Sequence, residues 1–512
     1  MAGLLLGYDL GSSAIKAALV DVESGRVAAR ATSPDTELEM AAPRPGWAEQ
    51  NPDVWWQHMV AATAQLGDAL RGTGMALADV QAVGVAYQMH GLVLTDAAGA
   101  VLRPAIIWCD SRAVEIGDRA FAELGPEQVL RRLLNSPGNF TASKMRWVIE
   151  NEPRVTAAAA HFLLPGDYIG WRLTGEWATT PSGLSEGILW DFARSQRADF
   201  LLDHYGIDAA LLPPEAPTFS EQGALTGAAA AELGVPAGTP LTYRGGDQPN
   251  NALSLGVLEP GTAAATAGTS GVVYGVAERA DYDPASRVNT FVHVNHEAGR
   301  PRYGVLLCLN GCGILNSWLR RACAGERGYP AMNVAAAEVP VGADGVVLLP
   351  FGNGAERMLG NRDPGASVHG LRFNSHDERH LLRAGQEGVA FSLAYGLEVM
   401  REVGVQAATV RAGDANLFLS PLFREAFAAT TGATIELYDT DGAEGAARGA
   451  GIGAGIHDYD TAFGTLGRVL TVAPDAALQP AYADAYRHWR AHLDAALRDA
   501  PELDAGRTDA EG

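Results

Sequence analysis

The stretch from Leu241 to Gly271, LTYRGGDQPNNALSLGVLEPGTAAATAGTSG, limits what this chain can fold into more than any other. Two short apolar runs, Leu241–Tyr243 and Ala263–Ala267, each stop at a glycine turn, Gly245-Gly246 and Gly268-Thr269-Ser270-Gly271. Apolar runs of this length closed by glycine read as buried strands. The first brings one acid, Asp247, to a strand end, and Asn250-Asn251-Ala252-Leu253 then reads as a helix opening. The second leads into a small, hydroxyl-rich turn whose backbone N–H groups suit a phosphate. A carboxylate beside a phosphate cradle is the equipment for phosphoryl transfer to an alcohol. Glycine, Asp and Asn also occupy ordinary strand–loop corners for backbone reasons alone, so the stretch has a plain reading too.

The N-terminus repeats the arrangement. Gly3 to Tyr8 is nearly all apolar and ends in Asp9; Leu10-Gly11-Ser12-Ser13 makes a tight turn, and Ala14 to Asp21 returns as a strand carrying Lys16. An acid at the strand end and small residues in the turn fit a metal-bound phosphate, and they also fit an Asx-capped hairpin. A third strand, Val80 to Tyr87, ends in Gln88-Met89-His90-Gly91, polar groups placed for a small polar substrate. Leu92–Thr95 and Val101–Trp108 are expected to continue that sheet, and Asp110 with Arg112 to form a local ion pair. Asn51 and Pro52 cap and start a helix to about Leu70, with Trp47, Glu49 and Gln50 before it and facing a cleft. Residues 113–240 read as mostly helical.

The second half alternates strand and helix again. Ser375-x-x-Glu378 reads as a capping box opening a long helix to about Val403. Ala408–Ala412 is a strand, Gly413 to Asn416 a turn, and Thr434–Leu437 an edge-like strand. Gly442 to Gly455, GAEGAARGAGIGAG, is a small-residue helix made for close packing, and Gln479–Asp499 is amphipathic. Two such α/β lobes leave a cleft between them.

At 512 residues the chain is too long for one core. We divide it at 1–256 and 257–500, with a polar, disordered tail over 501–512. With 38 basic against 60 acidic residues the net charge is −22, which excludes a nucleic-acid or anionic-membrane partner. Cys109, Cys308, Cys312 and Cys323 form no C-x-x-C pair and read as core thiols. No signal peptide or membrane-length apolar run is present in the sequence, so a cytoplasmic protein is expected.

Ten segments together resemble the FGGY carbohydrate kinases. They are GYDLGSSAIKAAL (7–19), PGWAEQNPDVWW (45–56), VGVAYQMHGLVL (83–94), AIIWCDSR (105–112), TASKMRWVIENEP (141–153), LLPGDYIGWRLTGE (163–176), GGDQPNNAL (245–253), AGTSGVVYG (267–275), VHGLRFNSHDERHLLRAGQEGVAF (368–391) and DGAEGAARGAGIGAG (441–455). YQMHG and GGDQPNN are most similar to the xylulokinase branch. The resemblance implies two actin-like (ribonuclease-H-like) α/β domains with an inter-domain cleft. The first holds the sugar and the catalytic base, and the second binds the nucleotide. It implies ATP and Mg²⁺ as cofactors, transfer of phosphate to D-xylulose, and suggests a homodimer. Asp247 matches the general base, Asp9 the acid that engages Mg²⁺, and Met89-His90 the sugar-contacting pair, with Gln88 and Trp47 on the sugar side. Gly268-Thr269-Ser270 match the turn on the ATP phosphates, with Gly11, Ser12, Ser13 and Lys16 opposite and Gly413 and Asn416 toward the nucleotide. Two segments depart from the family pattern. Ala412-Gly413-Asp414-Ala415-Asn416 replaces a run of glycines, and Met358-Leu359 replaces Thr-Pro after Glu356-Arg357. Kinases for ribulose, glycerol or gluconate share the ATP side, and a silent sugar sensor or ATPase on the same fold is the rival from another class.

Overall fold

A computed structural model describes residues 3–501; nearly all of the expected tail lies outside the described residues. The first sheet has five strands: β1 (Leu4–Leu10), β2 (Ile15–Asp21), β3 (Val27–Ser33), β4 (Val80–Tyr87) and β5 (Leu241–Gly246). Their order is β5-β4-β1-β2-β3, with β1–β2–β3 antiparallel and β1–β4–β5 parallel. β1 and β4 are almost wholly buried, as their unbroken apolar runs require for strands covered on both faces.

The second sheet has seven strands: β6 (Gly261–Ala267), β7 (Gly271–Ala277), β8 (Asn289–Val292), β9 (Tyr303–Leu309), β10 (Ala407–Gly413), β11 (Thr434–Tyr438) and β12 (Arg468–Val472), in the order β8-β9-β7-β6-β10-β11-β12. Its central five, β11-β10-β6-β7-β9, repeat the order and strand directions of the first sheet. The turn at Gly11 therefore corresponds to the turn at Gly268, and the turn after β4 to the turn after β10. His90 and Asn416 each stand three residues beyond those strands, and both are left-handed, with φ of 62° and 55°.

Four helices position the site: α1 (Pro181–Glu186), α2 (Asp247–Ser254), α3 (Glu378–Glu402) and α4 (Gly442–Gly453). α4 lies across β1, β4 and β5 of the first sheet and against α2, although it belongs to the second half of the chain. At its closest points the contact is backbone against backbone. A Cβ on Gly7 would overlap the Ala443 carbonyl and the Ala447 amide, and one on Gly84 would overlap the Ala446 carbonyl. At Gly445 a Cβ would stand 2.7 Å from Ser254 Cβ, where α4 crosses α2. The small-residue stretch thus serves helix-to-sheet as well as helix-to-helix packing. Thr242 Oγ1 donates to the Ala450 carbonyl at 2.8 Å and fixes the register.

Several expectations change. Val93–Thr95 pairs with His161–Leu163, and Ala105–Ile106 with Glu49–Gln50, so neither continues the main sheet. The long helix α3 is capped by Asp377, whose carboxylate accepts from Arg379 N at 3.0 Å, so the Ser375 box is not used. β11 is not an edge, because β12 pairs outside it. Asp110 and Arg112 do form an ion pair at 2.6 Å. All four cysteines are free thiols. Among the described residues no helix is long and apolar enough to cross a membrane.

Replacing Gly84 by Val places a branched side chain inside the Ala446 backbone. We expect a loss on the order of 3 kcal/mol or more from overpacking. It reads out as a lower midpoint in thermal denaturation, whereas the same change at open Gly467, whose φ is not left-handed, should move the midpoint far less.

Candidate active site

The site is assembled from strand ends. Asp9 is the penultimate residue of β1 and faces Lys16 across the β1–β2 ladder. Gly442, the first residue of α4, packs directly on the Asp9 carboxylate, where any Cβ would collide. Burial raises the Asp9 pKa to about 6; Lys16 opposes that rise and Asp441 adds to it. Asp247 follows β5 and is itself the first residue of α2, three residues earlier than the sequence pattern places the helix. Its Oδ1 accepts the Gln248 amide at 2.9 Å. Burial raises its pKa to about 7, and the charges of Asp9 and Glu186 push the same way. Like charges held together in a partly dry site produce this shift.

Met89 and His90 close the site from β4. Met89 is buried, its Cγ 2.6 Å from where a Cβ on Gly246 would stand, next to Asp247. The left-handed turn at His90 is held from both sides. Its amide donates to Glu186 Oε2 at 2.6 Å, and its carbonyl accepts from Lys144 Nζ at 2.8 Å. Its Nδ1 stands 2.8 Å from the Glu186 carbonyl, and its ring meets Phe140 edge-on at 4.6 Å. Lys144 is fully buried, also bonds the Ile107 carbonyl, and burial lowers its pKa to about 8. Gln88 is buried; its Nε2 donates to Gln50 Oε1 at 3.3 Å and its Oε1 has no partner.

The two glycine turns differ in how they are held. Gly11 N donates to the Ala14 carbonyl at 3.1 Å, closing the hairpin, and Ser12 Oγ accepts from Trp108 Nε1 at 3.2 Å. Ser13 and Lys16 are exposed. In the second half Gly268 lies beside Asn416, whose Nδ2 is 3.4 Å from the Cβ position of Gly268, and the Gly268 carbonyl accepts from Gly313 N at 2.7 Å. Thr269 is exposed and Ser270 partly so; Gly413 ends β10. The structure thus joins Gly268 with Asn416, and Met89 and His90 with the Asp247 strand end. Trp47 makes its close contacts elsewhere: Arg112 stacks over its ring at 3.7 Å and Trp147 meets it edge-on at 5.1 Å.

Sequence reasoning missed Glu186, Lys144 and Asp441. Glu186 ends a short helix with no other charge, Lys144 lies two residues before Arg146, and Asp441 caps α4. Only the lone lysine in TASKMRW and the lone acid in SGLSEGILW hinted at buried partners.

The donor set fits a hard divalent cation. Asp9, Asp441 and Asp247 are oxygen donors, and the pKa values of Asp9 and Asp247 are raised by burial first and by neighbouring carboxylates after it. Among the described residues no three His, Cys, Asp or Glu side chains form a metal cage.

The profile of the FGGY family of carbohydrate kinases, N-terminal domain, matches residues 4–254, and that of the C-terminal domain matches residues 263–457. The chain belongs to this family of kinases. The xylulose kinase of Escherichia coli (strain K12) is 32% identical over 453 residues, 87% of this chain and 88% of that one. The L-xylulose/3-keto-L-gulonate kinase of the same strain is 31% identical over 509 residues, 96% and 97% of the two chains. In structure, the xylulose kinase of Rhodospirillum rubrum superposes with a TM-score of 0.84 at 28% identity, over 96% of this chain and 98% of that one. The protein is a carbohydrate kinase, and its mixed α/β two-domain fold is that of the family.

The raised pKa of Asp247 has a consequence for stability. Below the ordinary carboxylate pKa of about 4 the group is protonated in both the folded and unfolded states. As the pH rises toward 7 the unfolded chain releases the proton and the folded kinase keeps it, so folding loses free energy over that window. Asp247→Asn should therefore raise the thermal midpoint of the free enzyme at pH 8, with the gain fading by pH 4. Scanning calorimetry at both pH values checks this.

Proposed function

We propose that this kinase phosphorylates D-xylulose to D-xylulose 5-phosphate with ATP and Mg²⁺, and that Asp247 is the general base. The observation that carries the base assignment is the place of Asp247 where β5 ends and α2 begins, among the charges of Asp9 and Glu186, where burial raises its pKa to about 7. A base poised near the working pH accepts a hydroxyl proton and still ionises readily. The first two relatives named carry xylulose in their names, which supports the choice of sugar.

In this reading Met89 and His90 line the acceptor side, and the hydrogen bonds from Glu186 and Lys144 hold the His90 turn in place. Asp247 takes the proton of the terminal hydroxyl as its oxygen bonds to the γ-phosphorus, and the bond to the β-phosphate oxygen breaks to release ADP. Asp9 would hold Mg²⁺, with Asp441 beside it. When bound, the cation supplies positive charge against the charge developing on the phosphoryl oxygens. Ser12, Ser13 and Lys16 on one turn, and Gly268, Thr269 and Ser270 on the other, place the phosphates between the two sheets. Gly413 and Asn416 lie toward the nucleoside, where Asp414 is exposed and the loop carries an acid instead of further glycines. Drawing the halves together keeps water from acting as the acceptor.

Asp247→Asn should keep ATP binding and lose roughly 10²–10⁴-fold in turnover. In the unmodified enzyme kcat/KM should fall as the pH drops below about 7, because protonated Asp247 cannot act as base. ADP release is to be followed with D-xylulose, D-ribulose, glycerol and D-gluconate against a sugar-free blank. Equal turnover without sugar would remove the kinase reading of the site, and unchanged turnover in the Asn variant would remove the base assignment.

A further inference from the structure

Glu186 is the last residue of the short helix α1, and its side chain is only 2% exposed. One oxygen is committed: Oε2 accepts the His90 amide at 2.6 Å and stands 3.1 Å from His90 Nδ1. The other, Oε1, is buried with no hydrogen-bond partner, and so is Gln88 Oε1, two residues before His90. Buried oxygens left without donors are rare and costly, and they mark a place where a bound group completes the set. The phenol of Tyr87 lies under the same carboxylate and feels its charge, but forms no bond of normal geometry to Oε1.

The helix is fixed from the other half of the molecule. Ser185 Oγ accepts from Val292 N at 2.9 Å and Ser182 Oγ donates to the Val292 carbonyl at 3.0 Å, both on β8. The carboxylate is thus held on a tethered element and is not free to swing away. Cations around it are already engaged. Lys144 gives hydrogens to the His90 and Ile107 carbonyls, and Arg244 is divided among Gln222, Gly166, Asp167 and Ala178. Asp247, the neighbour of Glu186 toward the centre of the site, has the same sign of charge.

We propose that Glu186 is a specificity residue of the acceptor site: Oε1 accepts a hydroxyl of an uncharged polyol or ketose, and the carboxylate excludes acceptors that carry a carboxylate of their own. The inference rests on the kinase reading of the site and sharpens its substrate class. Discrimination of this kind needs both the attractive hydrogen bond and the repulsive charge. A site built to hydrogen-bond one hydroxyl also rejects analogues that leave its oxygen unpaired. The relative named for L-xylulose and 3-keto-L-gulonate couples a neutral sugar and an acid in one name, so family membership alone leaves this choice open.

The test compares the unmodified enzyme with Glu186→Gln and, as a control, Tyr87→Phe. ADP release and calorimetric binding are measured with D-xylulose, D-ribulose and D-gluconate. Glu186→Gln keeps an oxygen for the His90 amide and removes the charge. It should raise KM for the preferred neutral sugar roughly 10–100-fold, the worth of a hydrogen bond to a charged group, with a smaller change in kcat. It should also shift the gluconate-to-ketose ratio of kcat/KM toward gluconate by at least tenfold. Tyr87→Phe should leave that ratio alone. Gluconate handled as well as a ketose by the unmodified enzyme overturns the proposal. So does an unchanged ratio in Glu186→Gln with only a lower thermal midpoint, which would make Glu186 a support for the His90 turn alone. If no sugar is turned over but neutral sugars bind, and bind more weakly to Glu186→Gln, the kinase reading fails and the Glu186 site stands. If no sugar binds, both fail.

Discussion

The rest of the structure depends on the backbone contact between α4 and the first sheet. Gly7 on β1 and Gly84 on β4 let the carbonyls of Ala443 and Ala446 approach where any side chain would intrude. Close packing of this kind gains dispersion over many atom pairs and leaves no room for adjustment. Its effect is positional. With α4 seated, Gly442 rests on Asp9, and the Gly442 carbonyl accepts from Asn250 Nδ2 at 2.8 Å. One helix therefore fixes the acid at the end of β1 and, through α2, the helix that begins with Asp247. The two acids come from strands far apart in sequence, and this crossing sets their separation.

The repeated topology explains why the site has two unlike sides. Each half offers a turn after its first strand, a left-handed residue beyond its fourth and a helix after its fifth. In the first half those positions hold Gly11–Ser13, His90 and Asp247; in the second, Gly268–Ser270, Asn416 and the Asp441 cap of α4. In the first half Met89 packs at Gly246 beside the third group, and burial raises its carboxylate pKa. The second leaves Asp414, Ala415 and Asn416 exposed. The same backbone plan thus yields a drier, chemically poised end and an open end suited to a larger ligand.

Legibility in the sequence tracks the physics of strand ends. Asp9, Asp247, His90 and the glycine turns lie where an apolar run stops, so type and position could be read together. β1, β4 and α4 announced themselves by apolar or small-residue runs. Glu186 and Lys144 did not, because a single charge in a helix says nothing of its partner until the chain is folded; Lys144 finds His90 54 residues away. Trp47 reads as a cleft residue from its loop, and its loop gave no sign that the Arg112 guanidinium and the Trp147 ring lie against it. β12 escaped notice because four of its five residues are exposed, and an exposed edge strand carries little apolar pattern. Asp377 displaced Ser375 as the α3 cap because its carboxylate also engages Arg379 and His380, which a serine hydroxyl cannot match.

The electrostatics of the site join these points. Asp9, Asp247, Glu186 and Asp441 are gathered where the cations are few: Lys16 faces Asp9 from an exposed strand position, and Lys144 is turned to backbone carbonyls. Such an arrangement costs folding free energy, since each carboxylate raises the charging cost of its neighbours. The glycine-packed α4 and the Ser182 and Ser185 bonds to β8 offset that cost, because they hold the acids in place whatever their charge state. A ligand that brings positive charge to Asp9 then lowers the field at Asp247, so that a larger share of its carboxylate is ionised at a given pH. Charge brought to one acid is thereby felt at the other, across the α4 and α2 contacts that hold both.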